Sequence, residues 1–92
     1  MKKQLIHPEG KKAVTMDSTK YDLLRKTICD ILEIKHELSH KELLLNVNEY
    51  FKLANIQFSG SVNWHFEWVK LDLEARNIIA RRSDQVYHLV KK

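Results

Sequence analysis

The order of the local signals in residues 37–90 constrains the fold of this chain more than any other feature. Residues 39–42 (SHKE) form a capping box, in which a serine hydroxyl and a glutamate carboxylate satisfy free backbone amides at the start of a helix. Residues 59–61 (SGS) predict a turn before a longer helix over residues 62–76, and residues 77–90 read as strand, turn and strand. A fold for this chain must therefore follow two helices with a β-hairpin.

A further helix is predicted upstream, over residues 17–35. Asp17 or Ser18 can accept hydrogen bonds from the free amides of its first turn, and apolar residues recur at helical spacing along one face. Those apolar residues are Tyr21, Leu24, Ile28, Ile31 and Leu32. The second helix has a similar face, which predicts burial of Leu43, Leu44, Val47, Tyr50, Phe51 and Ala54. Three helices with one small β-hairpin predict a mainly α fold of the α+β class.

Residues 1–16 differ from the rest of the chain. They have weak periodicity, contain the only proline, and carry four of the lysines. We interpret them as a basic N-terminal arm with a short strand around residues 13–15, and residues 17–92 as the folded domain. Glu37 and Leu38 predict another short strand, which pairs with the hairpin.

The net charge of +4 at pH 7 is concentrated at the two ends of the chain. The arm and residues 81–92 are basic, whereas the residues between them contain slightly more acidic than basic side chains. Lys11 and Lys12 in the arm, with Arg81 and Arg82 in the hairpin, are therefore candidates to contact the phosphates of double-stranded DNA. The alternative is that the terminal charges serve solubility alone.

The residues give little support to enzyme chemistry or metal binding. Cys29 is the only cysteine, the five histidines are scattered, and there is no glycine-rich phosphate loop. We therefore expect no catalytic residues, no metal and no cofactor. No apolar run reaches the roughly 18 residues that span a membrane, and no apolar signal segment follows the first lysines. The expectation is a cytoplasmic protein without a membrane partner.

The third helix is apolar on two sides. Helical spacing places one set of apolar residues toward the core, namely Val62, Phe66, Val69 and Leu73. A second apolar face, nearly opposite, consists of Trp64, Trp68, Leu71 and Ala75. Three alternatives account for this second face. Either the arm and the hairpin cover it, or it binds a second copy or a protein partner, or its rings stack on unpaired bases.

A polar strip separates the two apolar faces of the third helix. Three residues suit base edges or phosphates, namely Ser61 before the helix and Asn63 and Lys70 within it. Glu67 and Glu74 lie on the same strip and would repel phosphates. Recognition of the major groove by this helix is therefore less favourable than its position in the chain alone would indicate.

The chain resembles the winged helix-turn-helix superfamily over residues 17–90. The resemblance is carried by residues 37–43 (ELSHKEL), 59–62 (SGSV) and 71–79 (LDLEARNII). Residues 7–12 (HPEGKK) and 64–79 are also similar to a small bacterial family of winged-helix-like proteins of unknown function. The resemblance implies the order helix, short strand, helix, helix, strand, wing, strand. It also implies DNA binding in transcription, through the N-terminal half of the third helix and the wing.

Two hypotheses follow for the function. The first is a small, dimeric transcriptional regulator that binds DNA through the third helix, the wing and the basic arm. Its candidate DNA contacts are Lys11, Lys12, Ser61, Asn63, Lys70, Arg81 and Arg82. The alternative is a winged-helix module for protein binding or dimerisation, without DNA affinity. Its candidate interface is the face of Trp64, Trp68, Leu71 and Ala75.

Overall fold

The computed structural model describes residues 1–90 of the chain. Its elements are β1 (Lys2–Gln4), β2 (Thr15–Asp17), α1 (Ser18–Lys35), β3 (Leu38–Ser39), α2 (His40–Leu53), α3 (Val62–Ala75), β4 (Ile79–Arg81) and β5 (Val86–Leu89). Within these residues, three helices and two small antiparallel sheets confirm the predicted α+β class. The last two lysines, which belong to the basic C-terminal end, lie outside the described residues.

Helix α1 begins and ends at local signals in the sequence. Asp17 Oδ1 accepts a hydrogen bond from the Thr19 amide at 2.7 Å, which satisfies one free donor of the first turn. At the other end His36 has φ 69° and ψ −56°, and the Glu37 amide donates to the Lys35 carbonyl at 2.8 Å, which forms a tight γ-turn after the helix. The predicted apolar face is confirmed, because all of its side chains pack into the core. Tyr21, Leu24, Ile28 and Leu32 are buried, and Ile31 is half-buried.

Both hydrogen bonds of the predicted capping box are present at the start of α2. Ser39 Oγ accepts from the Glu42 amide at 3.2 Å, and Glu42 Oε1 accepts from the Ser39 amide at 3.0 Å. The second of these hydrogen bonds lowers the pKa of Glu42. The first half of α2 then packs on the core through Leu43 and Val47, so the capping box places the first buried turn of the helix.

The prediction that Tyr50 and Ala54 are buried is wrong. Tyr50 is 48% exposed, and Ala54 is exposed as well. Both lie on the same helical face as the buried Leu43. The C-terminal halves of α1 and α2, however, are separated by a groove of about 220 Å³. The apolar face of α2 therefore continues beyond the part that α1 covers.

The N-terminal arm is folded against the helices. β1 pairs antiparallel with β2, with Lys3 opposite Met16. Leu5 and Met16 are 1% and 3% exposed and belong to the hydrophobic core. The strand predicted around residues 13–15 falls at residues 15–17 instead. Because it supplies side chains to the core, the arm is a packed part of the domain.

The second sheet joins the C-terminal hairpin, which we define as residues 79–89, to the start of α2. Its strand order is β3-β5-β4, with Leu38 opposite Tyr87 on one side of β5. Ser39 is the last residue of β3 and also the N-cap of α2. The hairpin therefore fixes the position of the first turn of α2. The predicted short strand is confirmed, one residue later in the chain than expected.

Candidate nucleic-acid interface

Three elements meet around the first turn of α2. The pairing of β3 with β5 places the hairpin on one side of this turn. On the other side, His40 Nε2 lies 3.5 Å from Glu67 Oε2, and the His40 and Phe66 rings have centroids 5.3 Å apart. The start of α2, the middle of α3 and the hairpin are thus neighbours. Lys41, the second residue of α2, is exposed beside them.

Helix α3 is contacted on one flank by the hairpin and on the other by the arm. Lys70 Nζ donates to Tyr87 Oη of the hairpin at 2.7 Å. On the opposite flank, the His7 ring of the arm lies edge-on to Trp68, with centroids 6.4 Å apart. Four residues between these contacts face outward, and we call them the α3 stripe: Asn63, Trp64 and Glu67, which are exposed, and Leu71, which is half-buried.

Lys70, which is predicted to contact DNA, has a buried side chain in this structure. Lys70 is 4% exposed, and its ammonium lies 4.3 Å from the centroid of the Tyr87 ring. Its Nζ is also 3.8 Å from Glu67 Oε1 and 4.0 Å from Glu74 Oε1. Glu74 Oε1 is buried without a hydrogen-bond partner among the described residues. The positive charge of Lys70 is therefore used inside the protein, where it joins α3 to β5.

Two residues at the start of α3 keep positions suited to DNA contact. Ser61 is exposed, but its hydroxyl already accepts a hydrogen bond from the Trp64 amide at 3.1 Å as the N-cap of α3. The Asn63 side chain is exposed and makes no hydrogen bond within residues 1–90. Of the predicted contacts on α3, Asn63 alone has a side chain that is both exposed and free of described hydrogen bonds.

The two hairpin arginines differ in their surroundings. Arg82 is bound by two carboxylates: its Nη2 lies 2.7 Å from Asp84 Oδ2, and its Nη1 contacts Glu37. The hydrogen bond from Arg82 lowers the pKa of Asp84. Arg81 is exposed and takes part in none of the ion pairs within the described residues. Arg81 is therefore freer than Arg82 to bind a phosphate.

The two arm lysines lie in the loop between β1 and β2. Lys11 Nζ is 3.6 Å from Glu9 Oε1, and both side chains are largely exposed. Lys12 is exposed and makes no ion pair within residues 1–90. The same loop carries His7, which contacts Trp68. Both lysines therefore belong to the segment that flanks α3 on the side opposite the hairpin.

The arm contacts the second apolar face of α3 through the His7 ring, which lies against Trp68. Trp68, Leu71 and Ala75 are half-buried, while Trp64 is 46% exposed. The hairpin contact shown for α3 is at Lys70, which lies on another side of the helix. Trp64 remains the exposed aromatic residue of the predicted interface.

Asp72 organises a buried polar cluster that the sequence reading did not identify. Its carboxylate, which is 0% exposed, accepts hydrogen bonds from the Tyr21 hydroxyl, from the Ile6 amide at 2.9 Å and from Arg76 Nε at 2.8 Å. Burial, together with the hydrogen bond to Asp72, raises the pKa of Tyr21 to about 12. The cluster ties the arm, α1 and α3 together. The available signal was a flank of α3 on which Asp72 lies one helical turn before Arg76.

His40 and Lys41 were also missed as surface residues of the candidate interface. The capping box gave the start of α2, and free amides at a helix start attract anions. The sequence did not predict the contact between His40 and Glu67, which places the start of α2 beside α3.

A cleft of about 640 Å³ between the end of α1 and the hairpin is lined by Leu32, Glu33, His36, Glu37, Arg82, His88 and Leu89. Residues 1–90 contain no cluster of three or more His, Cys, Asp or Glu side chains that could hold a metal ion. Cys29 is half-buried, and burial raises the pKa of its thiol, which lowers its reactivity.

Fold and surface together define a small α+β domain with a mixed polar and aromatic face on its third helix. The chain belongs to DUF6958, a family of unknown function, whose match covers residues 2–89. None of the curated proteins and none of the solved structures compared with the chain matches it. None of the helices in the described part of the chain combines the length and the apolar character needed to cross a membrane.

Proposed function

We propose that this protein is a DNA-binding domain of the winged-helix type. It contacts double-stranded DNA through the α3 stripe and the basic segments on either side of that stripe. The order α1, β3, α2, α3, β4, β5 supports the winged-helix assignment. The observation that carries the proposal is that the exposed side of α3 lies between the arm and the hairpin, each of which presents an exposed basic residue. These residues are Lys12 and Arg81.

The distribution of paired charges supports this proposal. Several carboxylates already have partners within the protein. Asp17 and Glu42 cap helices, Asp72 is buried, and Glu37 and Asp84 bind Arg82. By contrast, Lys12, Lys41 and Arg81 are exposed and form no ion pair within residues 1–90. Among the charged side chains without a partner in the protein, basic residues are therefore in larger proportion than among all the charged residues of the helical body.

The same surface favours contact with the DNA backbone over extensive reading of bases. Asn63 can pair with an adenine edge in the major groove, but Glu67 on the α3 stripe repels phosphates. His40, 3.5 Å from Glu67, offsets part of this repulsion when it is protonated. Affinity then depends mainly on phosphate contacts from Lys12, Lys41 and Arg81, which makes it strongly dependent on salt and weakly dependent on sequence.

Fluorescence anisotropy of a labelled random-sequence duplex, at about 50 and 200 mM salt, tests the proposal. Three phosphate contacts predict that the affinity falls about 40-fold between these concentrations. Arg81→Ala should weaken binding and reduce the slope of log affinity against log salt by about one. The matched control is Lys52→Ala, because Lys52 is exposed in the last turn of α2, away from the proposed face. Absence of binding at the lower salt, or equal losses in Arg81→Ala and Lys52→Ala, would refute the proposal.

Exposure of Trp64 favours a second candidate function, which is protein binding through the α3 stripe. Trp64 is 46% exposed, and aromatic residues in this state often anchor protein interfaces. If the α3 stripe binds a protein and not DNA, addition of the duplex should leave the fluorescence of Trp64 unchanged in a Trp68→Phe variant. Sedimentation would then reveal an association that Trp64→Ala removes and that salt barely changes. Quenching of Trp64 by the duplex would support DNA binding instead.

A further inference from the structure

An apolar surface with no cover lies between the C-terminal halves of α1 and α2, toward the other end of α2 from Lys41. Ile34 of α1 is 74% exposed, and Tyr50 and Leu53 of α2 are 48% and 87% exposed. These side chains line the groove of about 220 Å³ between the C-terminal halves of the two helices. All of the residues that line this groove belong to α1 and α2. A cluster of large exposed apolar side chains around one groove is typical of an interaction surface.

The charges at this groove are equal and opposite. Lys35 of α1 and Glu49 of α2 both line it. Neither takes part in an ion pair within residues 1–90, although Lys26, earlier on α1, pairs with Asp30 at 2.6 Å. The groove therefore has one unpaired cation on its α1 side and one unpaired anion on its α2 side.

We propose that this groove is the interface of a two-fold symmetric homodimer. A two-fold axis brings the same patch of both copies together, and an axis that runs along the groove places α1 of one copy opposite α2 of the other. Lys35 then lies opposite Glu49 of the second copy, and the reciprocal pair forms as well. Ile34, Tyr50 and Leu53 of the two copies bury one another between these pairs. A patch with its own complementary charges fits a second copy of the chain better than it fits a wholly acidic or a wholly basic partner.

The size of the patch limits the affinity. Stable complexes bury about 800 Å² on each partner, and a groove lined by two half-helices is small on that scale. We therefore expect a dissociation constant on the order of tens of micromolar. None of the residues that line the groove belongs to α3, the hairpin or the arm. The inference is independent of DNA binding, and either proposal can fail while the other holds.

Sedimentation velocity over about 5 to 500 μM protein measures the expected dimer. Leu53→Glu and Ile34→Glu should each weaken association at least tenfold, since each places a charge in the apolar contact. The matched control is Leu45→Glu, because Leu45 is also exposed on α2, at 57%, but does not line the groove. Circular dichroism verifies that each variant keeps its helices. A wild-type monomer at the highest concentration would overturn the inference, as would equal weakening by Leu45→Glu.

Charge reversal tests the proposed orientation of the two copies. Lys35→Glu alone and Glu49→Lys alone should each weaken the dimer, because each creates facing like charges. The double variant restores both pairs with their signs exchanged, so its dissociation constant should return to within about threefold of the wild-type value. Failure of the double variant to recover would refute the Lys35–Glu49 pairing. The anisotropy assay with DNA, run on the Leu53→Glu monomer, reports on the proposed function separately.

Discussion

Replacement of Asp72 should destabilise the protein more than any other single polar substitution in α3. The carboxylate is fully buried and accepts hydrogen bonds from Tyr21, the Ile6 amide and Arg76. In Asp72→Ala, a buried hydroxyl, a backbone amide and a half-buried guanidinium all lose their acceptor. The Tyr21 hydroxyl is fully buried and has no other described partner, whereas Arg76 keeps a 3.4 Å contact from Nη2 to the Gln4 carbonyl.

The magnitude follows from the burial of the cluster. Removal of one partner of a buried ion pair costs about 3–5 kcal/mol. Tyr21→Phe removes only one hydrogen bond to a charged group and should cost about 1.5–3 kcal/mol. A small domain is stable by roughly 5–15 kcal/mol, so Asp72→Ala consumes a large part of the total. It should also loosen the arm, because the Ile6 amide is one of the three donors.

Urea denaturation followed by circular dichroism measures these free energies. The double variant Tyr21→Phe with Asp72→Ala should lose less than the sum of the single losses, by at least about 1 kcal/mol, because both changes break the same hydrogen bond. Asp22→Ala is the control, since Asp22 is an exposed carboxylate on α1 and should change stability by less than about 0.5 kcal/mol. An Asp72→Ala loss below about 1 kcal/mol, or strictly additive losses, would refute this account of the cluster.

Two further predictions concern Lys70 and Tyr21. Lys70→Met should destabilise the protein by about 3 kcal/mol in urea denaturation, because Glu74 is then buried beside no cation. The double variant with Glu74→Leu should recover most of this loss, and a neutral Lys70→Met would contradict the role given to Lys70. Because folding raises the pKa of Tyr21 from 10 to about 12, the stabilisation by its neutral phenol is complete below pH 10 and is lost as the pH rises through 12. Wild-type melting temperature should therefore fall more steeply over this interval than that of Tyr21→Phe, and parallel curves would contradict the shift.

Local signals were sufficient to predict the helices and the hairpin. The capping box at residues 39–42 is present with both hydrogen bonds, and the apolar face of α1 is buried as its spacing indicated. These features depend on residues that are near one another in the sequence. A capping box or the apolar face of a helix can therefore be predicted from neighbouring residues alone, without the tertiary contacts.

Whether a particular side chain is buried depends on tertiary contacts, which the helical spacing of apolar residues does not reveal. Spacing placed Lys70 on a polar strip, but the hairpin packs on that side of α3 and encloses it. Spacing placed Tyr50 on an apolar face, but a groove separates the end of α1 from that part of α2. Helical periodicity gives the direction of a side chain, whereas the neighbouring element decides whether water reaches it. Strands of three residues, such as β1 and β2, are also too short to give a clear alternation.

The central position of β5 in its sheet has a consequence for the order of folding. The pairing of β4 with β5 closes a short turn, whereas the pairing of β3 with β5 joins residues from distant parts of the chain. Closure of the larger loop costs more entropy and is slower, so we expect the hairpin to form before β3 docks on it. The position of the start of α2 against the hairpin depends on that late event, because Ser39 belongs both to β3 and to the N-cap of α2. The proposed DNA surface would then be the last part of the molecule to assemble, and its presence would report that folding is complete.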